Sequence, residues 1–380
     1  MNFDEEFEKI RPYNDSEVKQ AIENIIADES FKKVSKHLFP NIEFAKVAYF
    51  LKNIKTIEEF QTQVSYKFLQ NLIKNTIDEL TSSGVENINL SKGHLYIANH
   101  RDIVLDTALL QAIFFENNLP TSEITVGDNL TANSLFREIG KLNKMFTLYR
   151  GGGKIQMYKN AVLHSKYIHQ LVRERHESLW IAQRDGRTKD GNDKTQQGLL
   201  KMLIGDRRDI VPAIKELNII PVSTSYEYEP CFKEKINELY ISSFKEYVKA
   251  ENEDMNSVVT GMFSQKGKVH IGLGTPLNKI IENINLNTEQ LSNNEIIDVF
   301  VTEIDKQIYK NYKLFPNNFI AWDILNNSNQ FKNEYSTLQK EKFEKYVNDT
   351  VNKIEGDKEK ITNIALSIYA NPVNNKGFTK

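Results

Sequence analysis

The sequence has one cysteine, Cys231, among 380 residues. A single cysteine excludes an internal disulfide framework and a cysteine-rich metal site, and it is typical of a reducing compartment. Apolar runs are short: no window reaches the roughly 18 uninterrupted apolar residues of a membrane-spanning helix. Residues 1–7 are acidic and lack the apolar core of a secretory signal. These absences predict a cytoplasmic protein that, where it meets a membrane, lies peripherally on the inner face.

Charge is distributed unevenly along the chain. The net charge is −2, but the stretch from Arg137 to Lys215 holds 17 basic and 8 acidic residues, which makes it +9 and leaves −11 for the rest. This concentration indicates an anionic ligand, an acidic partner or anionic lipid headgroups. The alternative is that basic side chains solvate two surface helices. Nucleic acid is not an expected partner.

Hydrophobic periodicity divides the chain into three regions. Residues 1–84 have apolar residues at helical spacing, most clearly over 41–54 and 57–80, and predict a helical N-terminal domain. Residues 85–284 alternate short β-type runs with helical stretches, which predicts an α/β domain with a mixed central sheet layered with helices. Residues 285–380 are polar and asparagine-rich, and predict a helical C-terminal extension.

Individual elements follow from the same patterns. The predicted strands are 94–98, 122–126, 145–149, 178–183, 219–225 and 268–273. The predicted helices after residue 84 are 104–115, 154–175, 235–250, 296–309 and 337–354. Residues 371–377 are expected to form a loose tail. The aromatic pair Tyr49 and Phe50 allows contact with a bilayer surface, although packing against the next domain is the ordinary interpretation.

Four blocks of residues in the middle region are suited to chemistry. In the first, an apolar run at 95–98 is followed by His100, Asp102 and Asp106, and a helix begins at about residue 104. Imidazole is the side chain best suited to moving a proton near neutral pH, and a nearby carboxylate can fix its tautomer. A histidine and two acids at a strand-to-helix junction therefore predict catalysis better than core packing.

In the second block, a strand leads to Arg150, three glycines at 151–153, and Lys154. Glycines let backbone N–H groups approach an oxyanion, a helix starting at Lys154 adds its positive end, and arginine binds phosphate through two parallel hydrogen bonds. The alternative is a plain flexible loop. The P-loop pattern is not met, because Leu148 replaces its first glycine and Ile155 its Ser or Thr.

The third block is a strand followed by Arg184, Asp185, Gly186 and Arg187. Asp185 can accept a hydrogen bond from a substrate hydroxyl, and the arginines can neutralise a phosphate. An Asp-Gly turn with incidental surface charges is the alternative. The fourth block, 219–226, is a buried strand containing Pro221, which alone indicates only core.

The order of these blocks resembles the glycerolipid acyltransferase superfamily, which includes glycerol-3-phosphate and lysophosphatidate acyltransferases. The resemblance covers residues 94–225. Two blocks depart from the usual form. Five residues instead of four separate His100 from Asp106, so Asp102 is a second candidate partner for the ring. The third block lacks the usual proline and one residue between its glycine and Arg187.

The resemblance implies that His100 is the general base, with Asp106 or Asp102 holding its ring. The donor implied is acyl-CoA or acyl carrier protein, the acceptor is a glycerol phosphate or a lysolipid, and no cofactor or metal is implied. The substrate-binding residues implied are Arg150, Lys154, Arg184, Asp185, Gly186, Arg187 and Pro221. Pro221 and the helix at 104–115 are the expected lining of the acyl chain, with core packing as the alternative for most of their apolar neighbours.

Two other functions remain open from the sequence. One is a lipid- or anion-binding protein of the same fold with weak catalysis, and the other is an acyl thioester hydrolase using the same histidine. A protein kinase is excluded, because Thr107 replaces the asparagine of the catalytic loop and no glycine-rich loop or Asp-Phe-Gly accompanies His100. Spacings of five and seven among His164, His169 and His176 do not form a two-ligand metal face.

Overall fold

The computed structural model describes residues 5–38, 41–284 and 290–377. The expectation for the start of the chain falls partly on residues 1–4, and the predicted boundary at residue 285 falls on 285–289, so both lie outside the described residues. The first part of the chain is helical: α1 (Val18–Ala27), α2 (Glu29–Leu38), α3 (Phe44–Lys52), α4 (Ile57–Phe60) and α5 (Tyr66–Thr76). A π-helical segment, Gln61–Ser65, joins α4 to α5.

The middle of the chain builds one mixed sheet, as the sequence predicted. Within the described residues its seven strands are β1 (Glu79–Ser83), β2 (Leu95–Ala98), β3 (Glu123–Gly127), β4 (Met145–Leu148), β5 (Leu179–Ala182), β6 (Ile220–Tyr226) and β7 (Lys268–Leu273). Their order is β1-β7-β6-β2-β5-β3-β4. From β6 to β4 all neighbours are parallel, β7 is antiparallel to β6, and β1 is parallel to β7.

Helices follow most strands. They are α6 (Leu105–Glu116), α7 (Asp128–Thr131), α8 (Ser134–Leu142), α9 (Lys154–His169), α10 (Gln197–Ile204), α11 (Ile210–Glu216), α12 (Phe232–Ser242), α13 (Glu253–Phe263), α14 (Leu277–Asn283), α15 (Asn293–Asn311), α16 (Pro316–Leu325), α17 (Thr337–Val351) and α18 (Lys358–Asn375). No helix of the described residues has both the length and the apolar character needed to cross a bilayer.

The sheet is covered on both faces, which explains why its central strands are apolar throughout rather than alternating. Tyr96 and Trp180 point to one face, where they pack with α5 and α6. Ile97 and Ile181, their neighbours in sequence, point to the other face and pack with α9, α10, α11 and α15. Because α15 shares this core, the region after residue 290 is in part a layer of the α/β unit.

Two predictions from the sequence are wrong, one for the end of α5 and one for the end of the chain. The helix predicted over 57–80 stops at Thr76, and Glu79–Ser83 is instead strand β1 at the edge of the sheet. The predicted loose tail at 371–377 is helical to Asn375, because Pro372 and Val373 are buried among α12, α16, α17 and α18.

Candidate active site

The carboxyl ends of β2, β5 and β6 meet at the middle of one edge of the sheet. Ala98 at the end of β2 is in register with Ala182 of β5 and with Val222 of β6. His100 and Arg184 therefore follow their strands by the same two residues. In open α/β sheets, ligands bind in the crevice outside the carboxyl ends of the strands. The first and third blocks of the sequence thus converge on the edge where a ligand is expected.

His100 forms a dyad with Asp106. The ring Nδ1 lies 3.0 Å from Oδ2 of Asp106, and the Asp106 side chain is fully buried. The same Oδ2 accepts hydrogen bonds from the backbone N–H groups of Arg101 and Asp102, at 2.7 and 2.9 Å. A carboxylate facing Nδ1 favours the tautomer with the hydrogen on Nδ1 and leaves the lone pair on Nε2. Nε2 is therefore the atom able to take a proton from a bound molecule.

The loop between β2 and α6 explains why an additional residue does not break this contact. Residues 101–104 form a series of bends, and α6 begins at Leu105. Asp106 lies in the first turn of α6, and its carboxylate reaches back to the backbone of the loop. The bends absorb the fifth intervening residue, so the histidine and the aspartate meet.

Asp102 has a different position. Its Oδ1 accepts hydrogen bonds from the backbone N–H groups of Val104 and Leu105, at 3.0 and 2.9 Å, and so caps the start of α6. Its Oδ2 is buried without a hydrogen-bond partner, next to α13, where a methyl group added to Gly261 would come within 2.0 Å of it. Burial and the negative charge of Asp106 raise the pKa of Asp102. Of the two candidate acids, only Asp106 contacts the His100 ring.

Tyr226, the last residue of β6, completes the set of groups around Asp106. Its hydroxyl donates a 2.8 Å hydrogen bond to Oδ1 of Asp106, and burial together with that carboxylate raises the pKa of Tyr226 far above its ordinary value. The phenol therefore stays protonated and keeps donating. The sequence pattern around Tyr226 predicts only a core strand, and the position of Tyr226 at the end of that strand is the signal that it belongs to the site.

We expect Tyr226→Phe to lower kcat of the reaction proposed below by about tenfold, because one hydrogen bond to a charged group is lost. The change removes a donor from Asp106 but leaves the ring position of Tyr226 filled. KM should stay close to the parent value if Tyr226 acts only through Asp106. Steady-state kinetics check the prediction, and a rise in KM with unchanged kcat would place Tyr226 on the substrate instead.

The His100 ring also packs against the ring of Trp180 in β5. The two rings are 5.7 Å apart between centroids and lie edge to face, at 71°. The His100 side chain keeps 15% of its surface exposed, and within the described ranges no hydrogen bond occupies Nε2. A small polar molecule can thus reach Nε2 from solvent while Nδ1 stays in the protein interior.

A buried ionic cluster fixes the backbone next to His100. Arg101 pairs with Asp193 at 2.7 Å and with Glu229 at 3.1 Å. Lys235 pairs with Glu229 at 2.6 Å and also donates to the carbonyl of Arg101 at 2.6 Å. None of the four side chains exposes more than 3% of its surface. We call these four residues the buried ionic cluster; two cations and two anions balance within it.

The second and third blocks also meet. Nη1 of Arg150 lies 2.6 Å from Oδ1 of Asp185, with 42% and 70% of the two side chains exposed. Gly186 provides the turn with φ +69°. Thr188 donates its backbone N–H to the carbonyl of His100 at 2.7 Å, which joins the third block to the dyad. Lys154 is exposed at the start of α9 and makes no ion pair with a described residue.

Buried polar atoms without hydrogen-bond partners concentrate around this edge. Such atoms are rare in native proteins, and a catalytic role or a bound water or ion is among the usual reasons for them. In the parts of the chain that the structure describes, they include Asp102 Oδ2, Trp180 Nε1, Gln183 Nε2, Arg184 Nε, Arg187 Nη1 and Thr188 Oγ1. Arg187 lies close enough to Asp102 to offset part of the rise in its pKa. The edge therefore offers several donors and one buried acid to a ligand.

Pro221 is a predicted site residue that the structure does not bring to His100. It lies inside β6, in register with Ile97, one residue before the level of Ala98. Ile97 points to the face opposite that of Trp180, so register partners place Pro221 on that opposite face. Most apolar side chains of α6 are buried in the core as well. These positions favour structural packing, and the acyl lining by Pro221 and this helix stays a prediction.

No group of three or more His, Cys, Asp or Glu side chains in the described ranges is arranged to hold a metal ion. Four other histidines, His94, His164, His169 and His270, have hydrogen-bond contacts of their own within the fold. His270, for example, lies between the hydroxyls of Thr81 and Ser83, at 2.8 and 3.0 Å.

Comparison with known proteins gives a family. Residues 79–222 match the family model described as Acyltransferase. This match spans the strands from β1 to the start of β6, which include the first three blocks and the part of the fourth that holds Pro221. The family indicated by the order of the blocks is thereby confirmed.

Solved structures give one further comparison, and no curated protein matches the sequence significantly. The fold is similar to the crystal structure of the 1-acyl-sn-glycerophosphate (LPA) acyltransferase PlsC from Thermotoga maritima, with 10% sequence identity and a TM-score of 0.34. The alignment covers 78% of this chain and 96% of that chain.

Proposed function

We propose that the protein transfers a fatty acyl group from an activated donor, acyl-CoA or acyl carrier protein, to a hydroxyl of a phosphorylated glycerol or lysolipid acceptor. The observation that carries the proposal is the dyad of His100 and Asp106 at the carboxyl edge of β2, inside the acyltransferase-family domain. The product is a phospholipid precursor, so the protein would act in phospholipid biosynthesis at the cytoplasmic side of a membrane.

The dyad supports one sequence of proton movements. Nε2 of His100 takes the proton of the acceptor hydroxyl as the hydroxyl oxygen attacks the acyl carbonyl carbon. Asp106 stabilises the imidazolium through Nδ1–H and holds the ring in place. When the tetrahedral intermediate collapses, the C–S bond breaks and the thiolate receives the proton from the imidazolium. Neither an acyl-enzyme nor a cofactor takes part in this transfer.

The arginines provide the binding site proposed for the acceptor phosphate. Arg150 is paired with Asp185, but an exposed ion pair contributes little stability, so a phosphate can take the place of the carboxylate. Asp185 then becomes available to a glycerol hydroxyl. Arg184 and Arg187 have unpaired buried N–H groups nearby, and Lys154 adds a positive charge at the start of α9. Holding both substrates makes the transfer effectively unimolecular, which is where much of the rate would arise.

Incubation of the purified protein with acyl donors, with and without candidate acceptors, tests this function. The expected result is an acylated phosphate-containing acceptor. Free fatty acid alone, formed equally with and without acceptor, would indicate a thioester hydrolase that uses the same dyad on water. Tight binding of donor or acceptor without turnover would indicate a lipid-binding protein.

We expect Arg150→Ala and Arg187→Ala each to raise the apparent KM for a phosphorylated acceptor by about tenfold or more, because each removes a charge-assisted hydrogen bond. The value of kcat should change little if these groups bind phosphate equally in the ground and transition states. Lys166→Ala is the matched control, since Lys166 is an exposed cation further along α9. Unchanged KM and kcat in both arginine variants would argue for an acceptor without phosphate.

A further inference from the structure

The first two turns of α9 are exposed on every side. Residues 151–159 are exposed without interruption, and burial begins only at Asn160. A helix on the surface of a globular protein normally buries one face. Here Ile155, Met157 and Tyr158 expose 76%, 54% and 61% of their surface. Ile155 and Tyr158, three residues apart, lie on the same face of the helix, and Met157 lies on the far side of Tyr158. We call these three residues the apolar patch; exposed apolar surface of this kind marks an interaction site.

The positive charge around this patch favours an anionic partner. From Arg150 to Arg173 the sequence contains five basic residues and no aspartate or glutamate. Exposed apolar side chains with lysines beside them bind an anionic bilayer through burial of apolar area and through attraction to the headgroups. A symmetric contact with a second copy would place the same positive charge against this segment, which opposes that form of self-association.

The patch also adjoins the candidate active site. It follows Arg150, which pairs with Asp185 of the third block, and β4 ends at the same edge of the sheet as β2. A bilayer contacting Ile155, Met157 and Tyr158 would therefore lie beside the opening that leads to His100. Tyr49 and Phe50 of α3 are also exposed. They do not adjoin the candidate active site, because α3 packs in the N-terminal helical layer.

We propose that the start of α9 docks the protein on a bilayer containing anionic phospholipids, with Ile155, Met157 and Tyr158 inserted at the interface. Lys154 and Lys159 then face the headgroups. One part of this proposal rests on the proposed function: a lipid acceptor would reach His100 from the docked surface. The docking itself depends only on the exposed apolar side chains and the local positive charge.

Sedimentation with vesicles tests the docking surface. The parent protein should bind vesicles of phosphatidylcholine containing phosphatidylglycerol, bind less at high salt, and bind pure phosphatidylcholine weakly. The triple variant I155S/M157S/Y158S should lose about tenfold or more in its partition coefficient. The matched control is L90S/L338S, which removes two apolar side chains that are 65% and 59% exposed elsewhere on the surface. This control should bind as the parent does.

Three outcomes would overturn the docking surface: no binding of the parent to anionic vesicles, undiminished binding of the triple variant, or an equal loss in the control. A change of oligomeric state in the triple variant, measured by light scattering, would assign the patch to a second copy instead. Acyl transfer to a monodisperse short-chain acceptor separates this proposal from the proposed function. Retained transfer with lost vesicle binding supports docking, and vesicle binding without any transfer leaves docking intact while the function fails.

Discussion

Replacement of His100 by asparagine is expected to lower kcat/KM for acyl transfer by about 10²- to 10⁴-fold, the usual contribution of a positioned general base. Asparagine retains a polar group that can hydrogen-bond Asp106 but has no basic nitrogen at the position of Nε2. The acceptor hydroxyl then attacks without losing its proton to the protein. Transfer of a radiolabelled acyl group measures the loss, and thermal unfolding of the variant shows that the fold is kept.

His176→Asn is the control for this change. His176 is exposed beyond the end of α9 and has φ +55°, a conformation that asparagine adopts more easily than most residues. We expect this variant to have parental activity. Turnover of His100→Asn near the parental rate would remove the general-base assignment, whatever the structure of the dyad.

The central strands were predictable because burial on both faces produces short apolar runs. All six strands predicted in the middle region occur, and each observed boundary lies within two residues of its predicted boundary. β1 was missed for the opposite reason. Glu79–Ser83 is a polar strand at the edge of the sheet, with no apolar run to distinguish it from the end of the preceding helix.

The sequence predicts that His100 has an acidic partner, but it does not determine which of two aspartates that partner is. The residue types and their position after a strand were visible in the sequence, but two acids were equally available. The choice depends on the bends at 101–104, which place Asp102 as a cap of α6 and turn Asp106 back toward the ring. Neither periodicity nor composition encodes the direction of such a loop.

The buried ionic cluster could not be found from local sequence at all. Arg101, Asp193, Glu229 and Lys235 are separated by up to 134 positions, and each looks like an ordinary surface charge in its own segment. Only the fold brings Asp193 and the loop after β6 to the residue next to His100. Residues of this kind are recognised once their burial and pairing are known.

The cluster gives the largest stability effect that we expect. Arg101→Met should lower the free energy of unfolding by about 3–5 kcal/mol, because it leaves Asp193 and Glu229 buried with only Lys235 to compensate them. Methionine fills much of the volume of the arginine stem, so the loss reports the missing charge and hydrogen bonds rather than a cavity. Urea unfolding followed by circular dichroism measures the change.

Two further variants make this prediction specific. Lys340→Ala removes one partner of an ion pair with Glu344 in which both side chains are about two-fifths exposed, and it should cost less than about 1 kcal/mol. The double variant R101M/D193N restores charge balance, because Lys235 and Glu229 still pair. It should be more stable than Arg101→Met alone, which would be a non-additive response of residues in contact. If R101M/D193N were less stable by the sum of its two single changes, the stabilising role of charge balance within the cluster would be refuted.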